Sequence, residues 1–233
     1  MSRSSRPAGE LSVVGLPPMP RPTSRHPGWP AQLGPVRARA GLVALRPARL
    51  FDASTWSAIR RRDERHLAPW EPGPIGQWAQ RHTPSDWVLR HFAMRAAGRR
   101  GLALPFVITV DGRLAGQVMV ANVVREPLLS ANIGYWVGTH VIGGGVATSA
   151  TAMAVDHCFN DVGMHRVEAT VRPENGASLR VLEKLGFRQE GLFRHYLDVD
   201  GAWRDHQCFA LTVEDRATSL VSRLVADGRV TRA

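Results

Sequence analysis

Lysine is almost missing from this chain: of 30 basic residues in 233, Lys184 is the one lysine. The formal net charge of +10 is therefore arginine charge. A basic surface favours polyanions such as nucleic acid or a ribosome. An arginine bias is also what a GC-rich genome leaves, so charge alone selects no partner. Cysteine is nearly as scarce. Cys158 and Cys208 both lie in apolar stretches without CxxC spacing, which excludes a disulfide-stapled secreted framework and reads as two core thiols in a reducing compartment. No apolar run nears the roughly 20 residues that cross a bilayer. Pro7, Pro17, Pro18 and Pro20 interrupt the region where a signal peptide would be apolar. The nine histidines show no HExxH or similar ligand spacing, so no metal is assigned. The expectation is a soluble, cytoplasmic protein without membrane contact.

What is present is a globular composition, with 44% hydrophobic and 21% charged residues in a length that suits one domain. Residues 1–35 are rich in Pro, Ser, Arg and Gly, hold Glu10 as their one acid and show neither strand nor helix period. They read as a disordered arm. The folded domain is expected over 36–215, with a helical tail over 216–233. Within it, LVALRP forms a short strand ended by Pro47. Leu50, Phe51, Trp56, Ile59 and Leu67 then mark a helical stretch over 50–67. A proline-rich segment, WEPGPIG, separates it from a helix that starts at Pro84 and ends near Gly98–Gly101.

The next stretch is strand-rich. LPFVITV and RLAGQVMVANV flank Asp111–Gly112, a hairpin dipeptide, and ANIGYWV supplies a third strand. A glycine-rich turn opens into a long helix, RVEATV is a strand, and ENGASLRVLEKLG is a helix closed by Gly186. Two final strands flank Asp200–Gly201. The order implies a mixed α/β (α+β) domain with a largely antiparallel sheet.

The feature with most chemical content is Gly143-Gly144-Gly145-Val146-Ala147-Thr148, set between strand and helix. Three glycines free the backbone to turn its N–H groups outward, and the helix N-terminus adds partial positive charge, so a pyrophosphate fits there. A structural tight turn has the same composition. The segment is neither a Rossmann fingerprint nor a nucleoside-triphosphate loop, for it lacks the GK[ST] ending.

Residues Ile142–Ala147 resemble the (Q/R)-x-x-G-x-(G/A) loop of the GNAT superfamily, with Ile142 in place of the usual Arg or Gln. RPENGASLRVLEKLGFRQEG and LDVDGAWRDH resemble segments typical of its RimJ/RimL group. The resemblance spans roughly residues 36–215. It implies an acetyl-CoA-dependent N-acetyltransferase of GNAT fold, whose splayed central strands, flanked by helices, admit the pantetheine arm. Backbone groups around Trp136 and Val137 would meet the cofactor, one N–H facing the thioester oxygen. Gly143, Gly144, Gly145, Val146, Ala147 and Thr148 would hold the pyrophosphate, and Asn175 would reach the pantetheine. Ser178 would protonate the departing thiolate.

Glu168, Glu71 and Glu126 are candidates for the base that takes a proton from the amine. Tyr135 reads as a core aromatic rather than a catalytic acid. Trp56, Trp70, Trp78 and Trp87 read as core or cleft walls, and Arg204, Asp205 and His206 as a polar cluster. The implied acceptor is a protein N-terminal α-amine, plausibly ribosomal, with ribosome contact through the basic surface. Two alternatives stay open: a small-amine or drug acetyltransferase, and a decayed scaffold that binds ribosome or RNA.

Overall fold

Strand alternation and tight turns build the sheet. The structure, a computed structural model, describes residues 28–73 and 77–233. β1 (Leu33–Ala38) and β2 (Gly41–Arg46) form a hairpin, and β3 (Leu104–Val110), β4 (Arg113–Val124) and β5 (Ser130–Val137) a meander. β6 (Arg166–Val171) follows, then a long hairpin of β7 (Arg188–Val199) and β8 (Ala202–Thr212), and β9 (Thr231–Arg232). Among the described residues the strand order is β7-β8-β6-β5-β4-β3-β2-β1-β9, and β5–β6 is the one parallel ladder. Both Asp-Gly dipeptides do what their chemistry predicts. Asp111 and Gly112 sit at φ 49° and 78°, Asp200 and Gly201 at φ 54° and 73°, the left-handed pairs that a two-residue hairpin turn demands.

Among the described residues six helices cover the sheet: α1 (Ala53–Arg62), α2 (Glu64–Leu67), α3 (Pro84–Arg99), α4 (Val146–Asn160), α5 (Gly176–Lys184) and α6 (Leu220–Ala226). The faces divide by alternation. Phe106 and Ile108 of β3 join the core beneath α4, whereas Val107 between them packs with Trp56, Ile59 and Trp87 of α1 and α3. α4 is buried nearly all round and alanine-rich, with residues 149–159 buried, which lets it lie close against the sheet. Thr83 caps α3 by accepting from the Asp86 N–H, and Pro84 fills the first-turn position that has no need of a donor.

Three expectations change. Residues 1–27 of the expected arm lie outside the described residues, as do residues 74–76 of the proline-rich segment. The arm's expected end at residue 35 is corrected: Trp29 is buried in the main core and β1 starts at Leu33. The expected helix over 50–67 breaks at Asp63. There the carboxylate accepts from the Thr139 N–H (2.8 Å) and hydroxyl (2.7 Å). Those bonds tie the helix break to the turn that follows β5. The expected helical tail holds a helix and also a strand. Asp156 of α4 accepts from the N–H groups of Leu220 (2.7 Å) and Val221 (2.9 Å), capping α6, and β9 then pairs with β1. No helix among the described residues is long and apolar enough to cross a membrane.

Trp29 packs face-on against Gly98 of α3, where any Cβ would strike its indole. Trp29→Ala should therefore cost about 3 kcal/mol of stability, at the low end for a large aromatic that leaves a cavity. A denaturant titration with an unchanged midpoint would show that this segment contributes nothing to the core.

Candidate functional site

The site begins where a ladder stops. β5 and β6 pair over three rows only, Ser130–Arg166, Ala131–Val167 and Asn132–Glu168. Beyond them β4 still holds β5 as far as Val137, and β8 holds β6 as far as Val171. The two strands thus part with each braced from its outer side, leaving an open backbone edge on β5. Orientation along that edge follows from one bond. The Gly138 N–H donates to the Ala115 carbonyl (2.8 Å) and Val137 stands opposite Gly116. Strand alternation then turns the N–H of Val137 toward the opening and that of Trp136 toward β4. Of the two residues expected to meet a ligand through the backbone, Val137 presents its N–H and Trp136 does not.

Tyr135 and Ser178 face each other across the opening. The Tyr135 hydroxyl lies 2.8 Å from Ser178 Oγ. Burial pushes the Tyr135 phenol up to about 12, the bond to Ser178 opposing the shift, so the phenol keeps its proton at neutral pH. Tyr135 packs its ring against the main core, as its reading as a core aromatic expects, and its hydroxyl also reaches Ser178. Ser178 sits in the first turn of α5, where Asn175 Oδ1 accepts from its N–H (3.1 Å). Asn175 is the helix cap, so one lone pair of its Oδ1 is engaged by the Ser178 N–H.

The glycine loop precedes α4. Gly143 and Gly145 take φ of 73° and 82°, which disfavours any side chain, and a Cβ on Gly144 would collide with Ala40. Each glycine is therefore required, for two different reasons. The Gly144 N–H donates to the Val141 carbonyl (3.2 Å) inside the turn. Gly144 is thereby removed from the expected set of amide donors. The first-turn amides of Val146, Ala147 and Thr148 have no intrahelical acceptor, and they form the anion-binding end. The loop fits the pyrophosphate of coenzyme A on these grounds.

On the α1 side a buried polar cluster underlies Trp136. The Arg60 guanidinium lies 4.5 Å from the ring centre of Trp78 and 4.9 Å from that of Trp136. It pairs with Glu71 and donates to His82 Nε2 (2.9 Å). Burial alone pushes the Glu71 carboxyl up, but His82 and Arg60 together outweigh it and hold it at about 2. Gln117 Oε1 accepts from the indoles of Trp56 (3.0 Å) and Trp136 (3.2 Å), which fixes the wall. Arg172, just past β6, donates to the Pro69 carbonyl (2.7 Å) and stacks on Trp70. The Trp70–Glu71 segment is thereby tied to the far side of the opening.

The three candidate bases separate. Glu71 is near the Trp136 wall, but its charge is neutralised by Arg60. Glu168 stands in the last paired row of β5–β6 and is bound by Arg166 (2.6 Å), itself paired with Glu190. Glu126 lies in the β4–β5 connection, at the end of β5 opposite the opening, and is removed as a candidate. Arg204, Asp205 and His206 do not meet as a triad. His206 Nδ1 bonds the Arg204 carbonyl, and Asp205 accepts from the His195 N–H. Among the described residues no group of three or more His, Cys, Asp or Glu could hold a metal ion.

Residues 43–188 match the acetyltransferase (GNAT) domain family. Mycobacterium smegmatis RimJ, solved in complex with CoA-disulfide, is 51% identical, covers 89% of this chain and 100% of its own, and superposes with a TM-score of 0.88. The Escherichia coli [ribosomal protein uS5]-alanine N-acetyltransferase is 29% identical over 190 residues, 81% of this chain and 96% of that protein. Bacillus subtilis YjcK is 41% identical over 105 residues, and the chain spans 58% of its length. The open β5 edge, the glycine loop at α4 and these likenesses agree: the chain belongs to the GNAT acetyltransferase family and is an acetyl-CoA-dependent N-acetyltransferase.

Proposed function

We propose that the chain acetylates the N-terminal α-amine of a protein, a ribosomal protein in a cytoplasmic setting, by direct attack of the amine on the acetyl-CoA thioester. The likeness to M. smegmatis RimJ and to the uS5-alanine enzyme carries this reading. The chemistry of the site is consistent with it. An α-amine of pKa about 7.8 is roughly 14% neutral at pH 7, whereas a lysine at about 10.4 is about 0.04% neutral. A site whose Trp136 wall carries a carboxylate, Glu71, held at about 2 finds little basic strength there to offer a lysine.

The roles follow from position. Val146, Ala147 and Thr148 amides hold the pyrophosphate, and the edge of β5 aligns the pantetheine as an added strand would. The Val137 N–H receives the negative charge that develops on the thioester oxygen as the C–N bond forms. As the C–S bond breaks, Ser178 gives its proton to the thiolate and regains one from solvent, while Tyr135 orients the Ser178 hydroxyl through the hydrogen bond between them. Glu71, paired with Arg60, holds the wall beside the acceptor, and the proton of the incoming ammonium passes to solvent. Glu168 organises the arginine network beside the paired strands. Association with the ribosome would draw on the arginine surface.

Three outcomes are expected. Ser178→Ala should lower kcat by roughly 10-fold with the KM for acetyl-CoA little changed, because a thiol of pKa about 8.5 leaves without full need of an acid. Chemistry-limited turnover equal to the parent would return Ser178 to a capping-turn residue. In a pH series, kcat/KM should rise as the α-amine loses its proton near pH 8. No carboxylate limb should appear between pH 5 and 7, since Glu71 is ionised throughout that range. A limb in that range that Glu71→Gln abolishes would make Glu71 the base. Mass spectrometry should locate the acetyl group on the free N-terminus of short peptides that start with Ala or Ser. Turnover of N-blocked lysine peptides, polyamines or aminoglycosides, with none on free N-termini, would replace this acceptor assignment with a small-amine or lysine one.

A further inference from the structure

The pyrophosphate loop lacks the side-chain cation that its first position usually supplies, because Ile142 stands there, half exposed. A different arginine occupies the neighbourhood. The β1–β2 turn, residues 38–41, lies against the loop: the Ala40 N–H donates to the Gly144 carbonyl (3.1 Å), and Ala38 and Ala40 flank the positions of Gly145 and Gly144. From that turn Arg39 Nη2 donates to the Gly143 carbonyl (2.8 Å). The guanidinium is exposed, and among the described residues no carboxylate forms an ion pair with it. A guanidinium carries five N–H donors, of which this contact uses one. Four donors and a full positive charge remain at the rim of the anion-binding helix end.

We propose that Arg39 is a pyrophosphate-binding residue for acetyl-CoA, supplying from a contact 104 residues away in sequence the charge that Ile142 omits from the loop. The inference rests on acetyl-CoA occupying the glycine loop. Arginine suits the task because its planar fork contacts two phosphate oxygens at once and is never deprotonated. The bond to the Gly143 carbonyl orients the fork before the ligand arrives, so less side-chain freedom is lost on binding. Arg39 takes no part in the acyl step and alters only the hold on the donor.

Calorimetry and steady-state kinetics on Arg39→Ala, Arg39→Gln and Arg39→Lys test it. Arg39→Ala should weaken acetyl-CoA binding about 10-fold and raise its KM by the same factor at unchanged kcat. The loss should recur with the 3′-dephospho form of acetyl-CoA, which keeps the pyrophosphate, and vanish with S-acetylpantetheine, which lacks it. It should shrink as salt rises. Arg39→Lys should recover part of the affinity. Arg39→Gln, which can still donate to Gly143 without charge, should not. Restoring the family residue by Ile142→Arg in the Arg39→Ala background should recover binding. Four results would overturn the proposal: unchanged acetyl-CoA affinity in Arg39→Ala, an equal loss on S-acetylpantetheine, full rescue by Arg39→Gln, or a loss confined to the ligand with its 3′-phosphate. The loop reading itself has a separate control. Gly145→Asp places bulk and like charge at the helix end and should abolish acetyl-CoA binding in a folded protein, whatever Arg39 does. Unchanged binding there would remove the pyrophosphate site and, with it, this role for Arg39.

Discussion

A strand pair that separates after three rows is the constraint on which the remainder of the site depends. Backbone N–H and C=O groups seek partners, and an exposed strand edge is a template for an extended chain. Here β4 and β8 hold β5 and β6 from outside, so the gap between them is a fixed part of the sheet. Two helices exploit the gap. α4 begins just after β5 ends and points its N-terminus at one end of the opening, and α5 begins after β6 and sets Ser178 beside Tyr135. The N-terminus of α4, the open edge of β5 and the Tyr135–Ser178 pair all adjoin the place where the sheet divides.

Electrostatics on the acceptor side follow a different logic. Arg60 is almost wholly buried, which lowers its affinity for a proton, and Glu71 compensates by pairing with it. The aromatic rings of Trp78 and Trp136 sandwich the guanidinium and keep water out. A buried charge pair is expensive to break on one side alone. The Arg60–Glu71–His82 cluster therefore sets the Trp136 wall firmly. Glu168, tied into the Arg166–Glu190–Arg188 network, performs a comparable bracing task below the opening.

The sequence disclosed features carried by short-range chemistry. Both Asp-Gly hairpins, the Pro84 helix start, the glycine loop and the Asn175–Ser178 turn are each defined within about six residues, and their types can be read directly. The features that escaped depend on distant partners. β1 has Gly34 and Pro35 in its first half and exposed residues through much of its length, so no period marks it; its reason to form is pairing with β2 and β9. The break at Asp63 needs Thr139, and the polar role of Tyr135 needs Ser178. Trp29 reads as part of an irregular arm until Gly98 is known to receive it. Glu126, Glu168 and Glu71 look alike in sequence and differ only in which cation, or which end of a strand, they meet.

The arginine composition has a further consequence for an enzyme that works with an activated acetyl donor. Lysine amines can be acylated by such donors without any enzyme, and each event erases a charge. Guanidinium groups, protonated at all working pH values, resist that reaction. Lys184, exposed in the last turn of α5, is the one side-chain amine on the chain. A surface whose charge resides on arginine keeps that charge in the presence of the donor the protein consumes.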